Sequence, residues 1–136
     1  MMNEMKGYRA LFVAALLCFT VAARADNAHT PKTGTAERKS ILDALRAPVQ
    51  RKVGQKVIFV VNHLRVKNGW AFFAGSARKQ NNKPLGDKFL WGETSALLRK
   101  TGKSWSVLHW GFATDTGVME ECKRKYPGAP RDIFPA

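Results

Sequence analysis

The sequence predicts an α+β domain in which an N-terminal helix packs on a four-stranded antiparallel meander sheet and a short C-terminal helix closes the chain. Three observations carry this. Apolar residues recur at helical spacing between 35 and 53, and an Asn-Gly pair joins two runs suited to strands. A second strand pair is then followed by a capped, amphipathic stretch.

Residues 1–25 stand apart from that domain. Lys6 and Arg9 precede a run at 10–23 that holds no charge and one polar residue, Thr20, and Ala23, Arg24 and Ala25 make a small-x-small end. This is the pattern of a cleavable secretory signal, with cleavage expected after Ala25 and the chain expected in the periplasm. The apolar run falls short of the ~20 residues that a spanning helix needs, so no transmembrane segment is expected after cleavage. Loss of Lys6, Arg9, Arg24 and Glu4 lowers the formal charge from +13 to +11, with 20 bases and 9 acids on 111 residues. Cys18 leaves too, which makes Cys122 the one thiol and excludes an internal disulfide.

Residues 26–34 (DNAHTPKTG) read as a flexible polar leader, and 35–136 as a single domain. Thr35 is placed to cap a helix with Glu37 in its first turn; Ile41, Leu42, Leu45, Val49 and Val53 form one apolar face, and Gly54 ends it. Pro48 is expected to kink or split this helix. Strands follow at 56–66 and 70–77, joined through Asn68 and Gly69, whose type suits the positive φ of a tight hairpin. Strict alternation puts Ile58, Val60, Leu64 and Val66 on one side of the first strand, interrupted by Asn62, with Val57, Phe59 and Val61 on the other. A polar loop at 78–86 leads to Phe89, Leu90 and Trp91. Strands at 94–100 and 104–112 come next, the latter alternating Trp105, Val107 and His109 with Leu108, Trp110 and Phe112. Asp115 and Thr116 then offer a cap for a helix with Val118, Met119, Cys122 and Tyr126 on one side.

Several pieces of this chain resemble a family of small exported bacterial proteins. They are the run Ile41 to Arg46 with Pro48, Gly54 and Gln55 before Val57 and Phe59 to Val61, Leu64 to Val66, and Gly69 to Phe72. Ala96 to Arg99, Trp105 to Val107 and Asp115 extend the likeness. It covers about residues 38–134. The resemblance implies export and a fold of this class, and it brings no assigned catalytic residues.

The residues offer little for catalysis. No Gly-x-Ser-x-Gly elbow is present, and His29, His63, His109 and Cys122 lack zinc-ligand spacing, so no metal and no cofactor is expected. A Cys122 and His109 pair is the weakest of three functional readings. The protein is expected not to be an enzyme. The excess of bases would suit nucleic acid, but export removes that substrate, which leaves an acidic protein or an anionic envelope component as partner. The foremost reading is a periplasmic binding or inhibitor protein of the immunity type, blocking an envelope-targeting toxin or enzyme. Its anchors are Phe89, Leu90 and Trp91, with Arg78, Lys79, Lys83 and Lys88 as a basic rim. The alternative is a module for an anionic small molecule or envelope polymer, with Trp70, Phe72, Trp105, His109 and Trp110 lining a pocket between the first helix and the sheet.

Overall fold

The computed structural model describes residues 27–136. The expected export signal and its cleavage point lie outside the described residues. Within them the chain runs α1 (Ala36–Val53), β1 (Val57–Lys67), β2 (Trp70–Lys79), a 3-10 segment (Asp87–Gly92), β3 (Glu93–Thr101), β4 (Ser104–Phe112), α2 (Gly117–Lys125) and a last 3-10 turn (Arg131–Ile133). The four strands form one antiparallel sheet in the order β1-β2-β3-β4, as the sequence predicts.

The local signals act as expected. Thr35 accepts a hydrogen bond from the Arg38 amide at 3.3 Å, and Gly54 closes α1 at φ 80° with its own amide bonded to the Gln50 carbonyl. Pro48 is accommodated inside a helix that is not split. Asn68 and Gly69 take φ values of 51° and 76°, the positive pair that a two-residue hairpin with matching twist requires.

Ile41, Leu45 and Val49 of α1 are fully buried against one face of the sheet, where Leu64, Val66, Ala71, Phe73, Ala96, Leu98 and Trp105 meet them. The opposite face carries a second core. Phe72 and Leu97 from the central strands pack under Cys122 of α2 and under Ala129, Ile133 and Phe134 of the chain's last stretch. The Phe72 and Phe134 rings lie 4.8 Å apart. The tail covers this face only in part, leaving a cleft of about 230 Å³ over the small side chains of Ala74 and Ser95 beside Met119.

Two bulges correct the expected alternation. In β1, Val61 pairs with Gly75 and His63 with Ala74, so Asn62 is an extra residue and the strand changes phase there. Val57, Phe59 and Val61 therefore share the α1 face with Leu64 and Val66, which strict alternation had set opposite them. In β4, Leu97 pairs with His109 and Leu98 with Val107, which makes Leu108 the extra residue. Trp105 and Val107 thereby join Trp110 and Phe112 toward α1, and Leu108 packs with the second core.

The segment before α1 is tied to the sheet. His29 exchanges both backbone hydrogen bonds with Val66 at 2.9 and 2.8 Å, adding a short bridge to the outer edge of β1. Its imidazole meets Glu37 at 2.5 Å, and Pro31 is buried.

Deleting Asn62 removes the phase change and turns Leu64 and Val66 away from α1. Burial of each such side chain contributes about 1.5–3 kcal/mol. The deletion is expected to lower the melting temperature by more than about 10 °C or to prevent folding, since each kcal/mol moves a domain of this size by about 4–8 °C. Asn62→Ala, which keeps the residue count, is expected to stay within about 1 kcal/mol of the parent. Circular dichroism melts of the two variants check this.

Candidate functional site

The 3-10 segment is held at both ends. Before it, Leu85 is buried in the α1 core, and the Gly86 carbonyl accepts hydrogen bonds from the amides of Phe89 and Trp91 at 3.0 and 3.3 Å. After it, Gly92 lies so close to β2 that an added Cβ would overlap the Ala77 carbonyl, and its φ of 85° also favours glycine. Between these anchors Leu90 (φ 48°, ψ 43°) and Trp91 (φ 59°, ψ 15°) both occupy the left-handed region. Two adjacent non-glycine residues there are strained by roughly 1–2 kcal/mol each.

The three residues expected as anchors do not act alike. Phe89 is half-buried with its ring 5.7 Å from Phe112, so it roots the segment in the domain. Leu90 and Trp91 are 41% and 58% exposed, and with Val60 at 36% they are the large hydrophobic side chains that face solvent among the described residues. Val60 pairs with Ser76, which pairs with Glu93, so it lies in the strand row next to Gly92 and at the same end of the sheet.

The basic rim gathers around this tip. Arg78 and Lys79 follow Ala77 on β2, and the loop after them folds back, with the Lys79 amide donating to the Lys83 carbonyl at 3.0 Å. Lys88 sets its ammonium 5.5 Å from the centre of the Phe89 ring. Among the described residues none of Arg78, Lys79, Lys83 and Lys88 has a carboxylate partner within 4 Å. Of the acids, Glu37 meets His29, Asp43 meets Lys39 and Arg46, Glu120 meets Lys123, Glu121 meets Lys125 and His109, and Asp132 meets Lys67, while Asp87 and Glu93 at the two ends of the segment, and Asp115, have no basic partner within 4 Å among the described residues. Hydrogen bonds from Lys39, Lys125 and Lys67 hold the carboxyls of Asp43, Glu121 and Asp132 below their ordinary ranges.

The five residues expected to line one pocket are divided by the sheet. Trp105 and Trp110 face α1. Trp70, Phe72 and His109 face the other way: Trp70 stacks under the Arg99 guanidinium at 4.1 Å, Phe72 is core, and His109 meets Glu121 at 3.0 Å. They therefore form no common pocket beneath the helix.

Cys122 and His109 share the second face, but the thiol is fully buried. Burial pushes it up from 9.0 to about 11, with the nearby Glu121 charge adding to the shift. A protonated, inaccessible thiol is a poor nucleophile. Among the described residues no group of three or more His, Cys, Asp or Glu side chains is arranged to hold a metal ion, and no helix is long and apolar enough to cross a membrane.

Comparison with known protein families, with characterised proteins and with solved structures finds no match to this chain.

Two outcomes follow from this geometry. Because glycine relieves left-handed strain that alanine retains, Trp91→Gly is expected to be more stable than Trp91→Ala by about 1 kcal/mol, measured by urea unfolding. Cys122 is expected to resist a thiol-specific disulfide reagent at pH 8 in the native protein and to react fully in denaturant. The folded thiol keeps its proton to about 11 while the unfolded one releases it near 9.0, so its contribution to stability is lost as pH rises across that interval.

Proposed function

We propose that this is an exported, non-enzymatic protein that binds and blocks an acidic protein of the cell envelope, in the manner of an immunity or inhibitor protein. The observation that carries the reading is the strained tip: Trp91 and Leu90 are held out into solvent by a backbone that costs energy to maintain, amid four bases without acidic partners. Strain of this kind persists where the surrounding fold over-determines it, and it gathers at ligand clamps. Tryptophan is among the side chains enriched at interface hot spots, while a ring of bases speeds the encounter with an acidic surface.

The experiment starts from the envelope protein that co-purifies with the wild-type chain and continues with the purified pair. Trp91→Ala is expected to weaken its binding by about 30-fold or more, since an anchor contributes about 2–4 kcal/mol. Charge reversal at Lys83 and Lys88 is expected to slow association and flatten its salt dependence, with a smaller effect on dissociation. If the combined Leu90→Ala and Trp91→Ala variant binds the same partner with unchanged affinity, the tip is not the docking surface.

A further inference from the structure

The bulge at Asn62 turns His63, Arg65 and Lys67 of the edge strand toward the C-terminal stretch. Lys67 is neutralised there by Asp132 at 2.9 Å, but Arg65 has no carboxylate partner among the described residues. One of its terminal nitrogens donates to the Ala28 carbonyl at 3.2 Å, and its Nε is buried with no hydrogen-bond partner. A guanidinium offers five donors in a planar fork, and with Nε sealed from solvent it is the terminal nitrogens that can meet a group beside the strand.

Beside Arg65 opens a cleft of about 650 Å³, lined by Thr30 of the leader, Asn62, His63 and Arg65 of β1, and Arg131 and Asp132 of the last 3-10 turn. Arg131 likewise has no carboxylate partner among the described residues, while Asp132 is engaged with Lys67. The lining thus brings together two guanidiniums without a carboxylate within 4 Å, an imidazole, a hydroxyl and an amide, beside one carboxylate, Asp132, whose charge Lys67 and, at longer range, Arg65 offset. Two positive forks match a dianion with several oxygens better than a single carboxylate, because each can take two oxygens at once.

We propose that this cleft is a phosphomonoester site in which Arg65 and Arg131 bind the phosphoryl oxygens. It lies apart from the tip at Trp91 and does not depend on that surface. The phosphoryl group can come from a soluble ester or from a lipid headgroup, and the test separates the two.

Calorimetry of the folded protein at near-physiological salt, where weak surface charge is screened, uses inorganic phosphate and glycerol 3-phosphate. Flotation uses phosphatidylcholine vesicles with and without phosphatidic acid. Binding is expected to fall about tenfold or more in both Arg131→Gln and Arg65→Gln, with Lys52→Gln and Lys103→Gln, at exposed lysines outside both surfaces, unchanged. Arg131 is exposed, so its variant serves even if Arg65→Gln fails to fold. Binding of the soluble anions with this dependence assigns a free ligand; binding of phosphatidic acid vesicles alone with the same dependence assigns a headgroup. The proposal is overturned by an unchanged Arg131→Gln, by equal losses in the lysine variants, or by no binding of either source up to about 10 mM phosphate.

Discussion

A pleated strand sends successive side chains to opposite faces, and in this domain both faces of the sheet carry a core. The central strands manage this by alternation: Ala71 and Phe73 serve α1, while Phe72 serves the C-terminal stretch. The edge strands cannot, because their apolar residues are out of phase from one half to the other. A single extra residue in each, Asn62 and Leu108, resets the phase and lets both halves contribute to the α1 core. Each bulge is also tied to the far end of the chain. The His63 imidazole donates from Nε2 to the Ile133 carbonyl at 2.6 Å, and the Tyr126 hydroxyl donates to the Leu108 carbonyl at 3.3 Å. The last stretch of the chain is therefore part of the sheet's second layer, and its position depends on where the strands break step.

The parts of the fold that were legible are those where one residue type answers one backbone requirement. Thr35, Gly54 and the Asn68–Gly69 pair mark helix ends and a hairpin because few other residues satisfy those dihedrals and donors. A bulge has no such signature: neither Asn62 nor Leu108 is a special residue, and what sets the phase is the demand of a helix packed on one side. The leader was illegible for a related reason, since His29 joins β1 through backbone groups that any residue possesses. Ile133 and Phe134 did carry a signal, as an apolar pair in a polar tail, and the structure buries both. At the candidate site the sequence marked Phe89, Leu90 and Trp91 as one cluster and could not divide it, because Phe89 differs from Trp91 in burial rather than in chemistry.

The distribution of charge narrows the meaning of the overall excess of bases. Acids on both helices are held by neighbours one turn away, Asp43 by Lys39 and Arg46 and Glu121 by Lys125, and such pairs contribute little to stability when exposed. They do remove those bases from any long-range field. Among the described residues the bases without a carboxylate within 4 Å are spread over the fold, from Arg38, Arg51, Lys52 and Lys56 to Lys100 and Lys103, and they include those around the tip at Trp91 and in the cleft beside Arg65. What distinguishes these two places is therefore their surroundings, exposed apolar side chains at one and a concave lining at the other, rather than the charge itself.

Strain at Leu90 and Trp91 matters to recognition because of how the segment is pinned. A flexible loop that carries an exposed tryptophan must be ordered on binding, which offsets part of what the anchor contributes. Here Leu85 is buried on one side and Gly92 is pressed against Ala77 on the other, while Phe89 packs on Phe112 from within. The backbone has little freedom left, and the left-handed pair follows from closing so short a span between fixed ends. Cooperative folding of the whole domain supports the local strain, since relieving it would require withdrawing Leu85 or Phe89 from packed surroundings. The backbone of the tryptophan is thus held by the same contacts that fix the 3-10 segment against the sheet, and on the proposed reading less ordering is left for binding to supply.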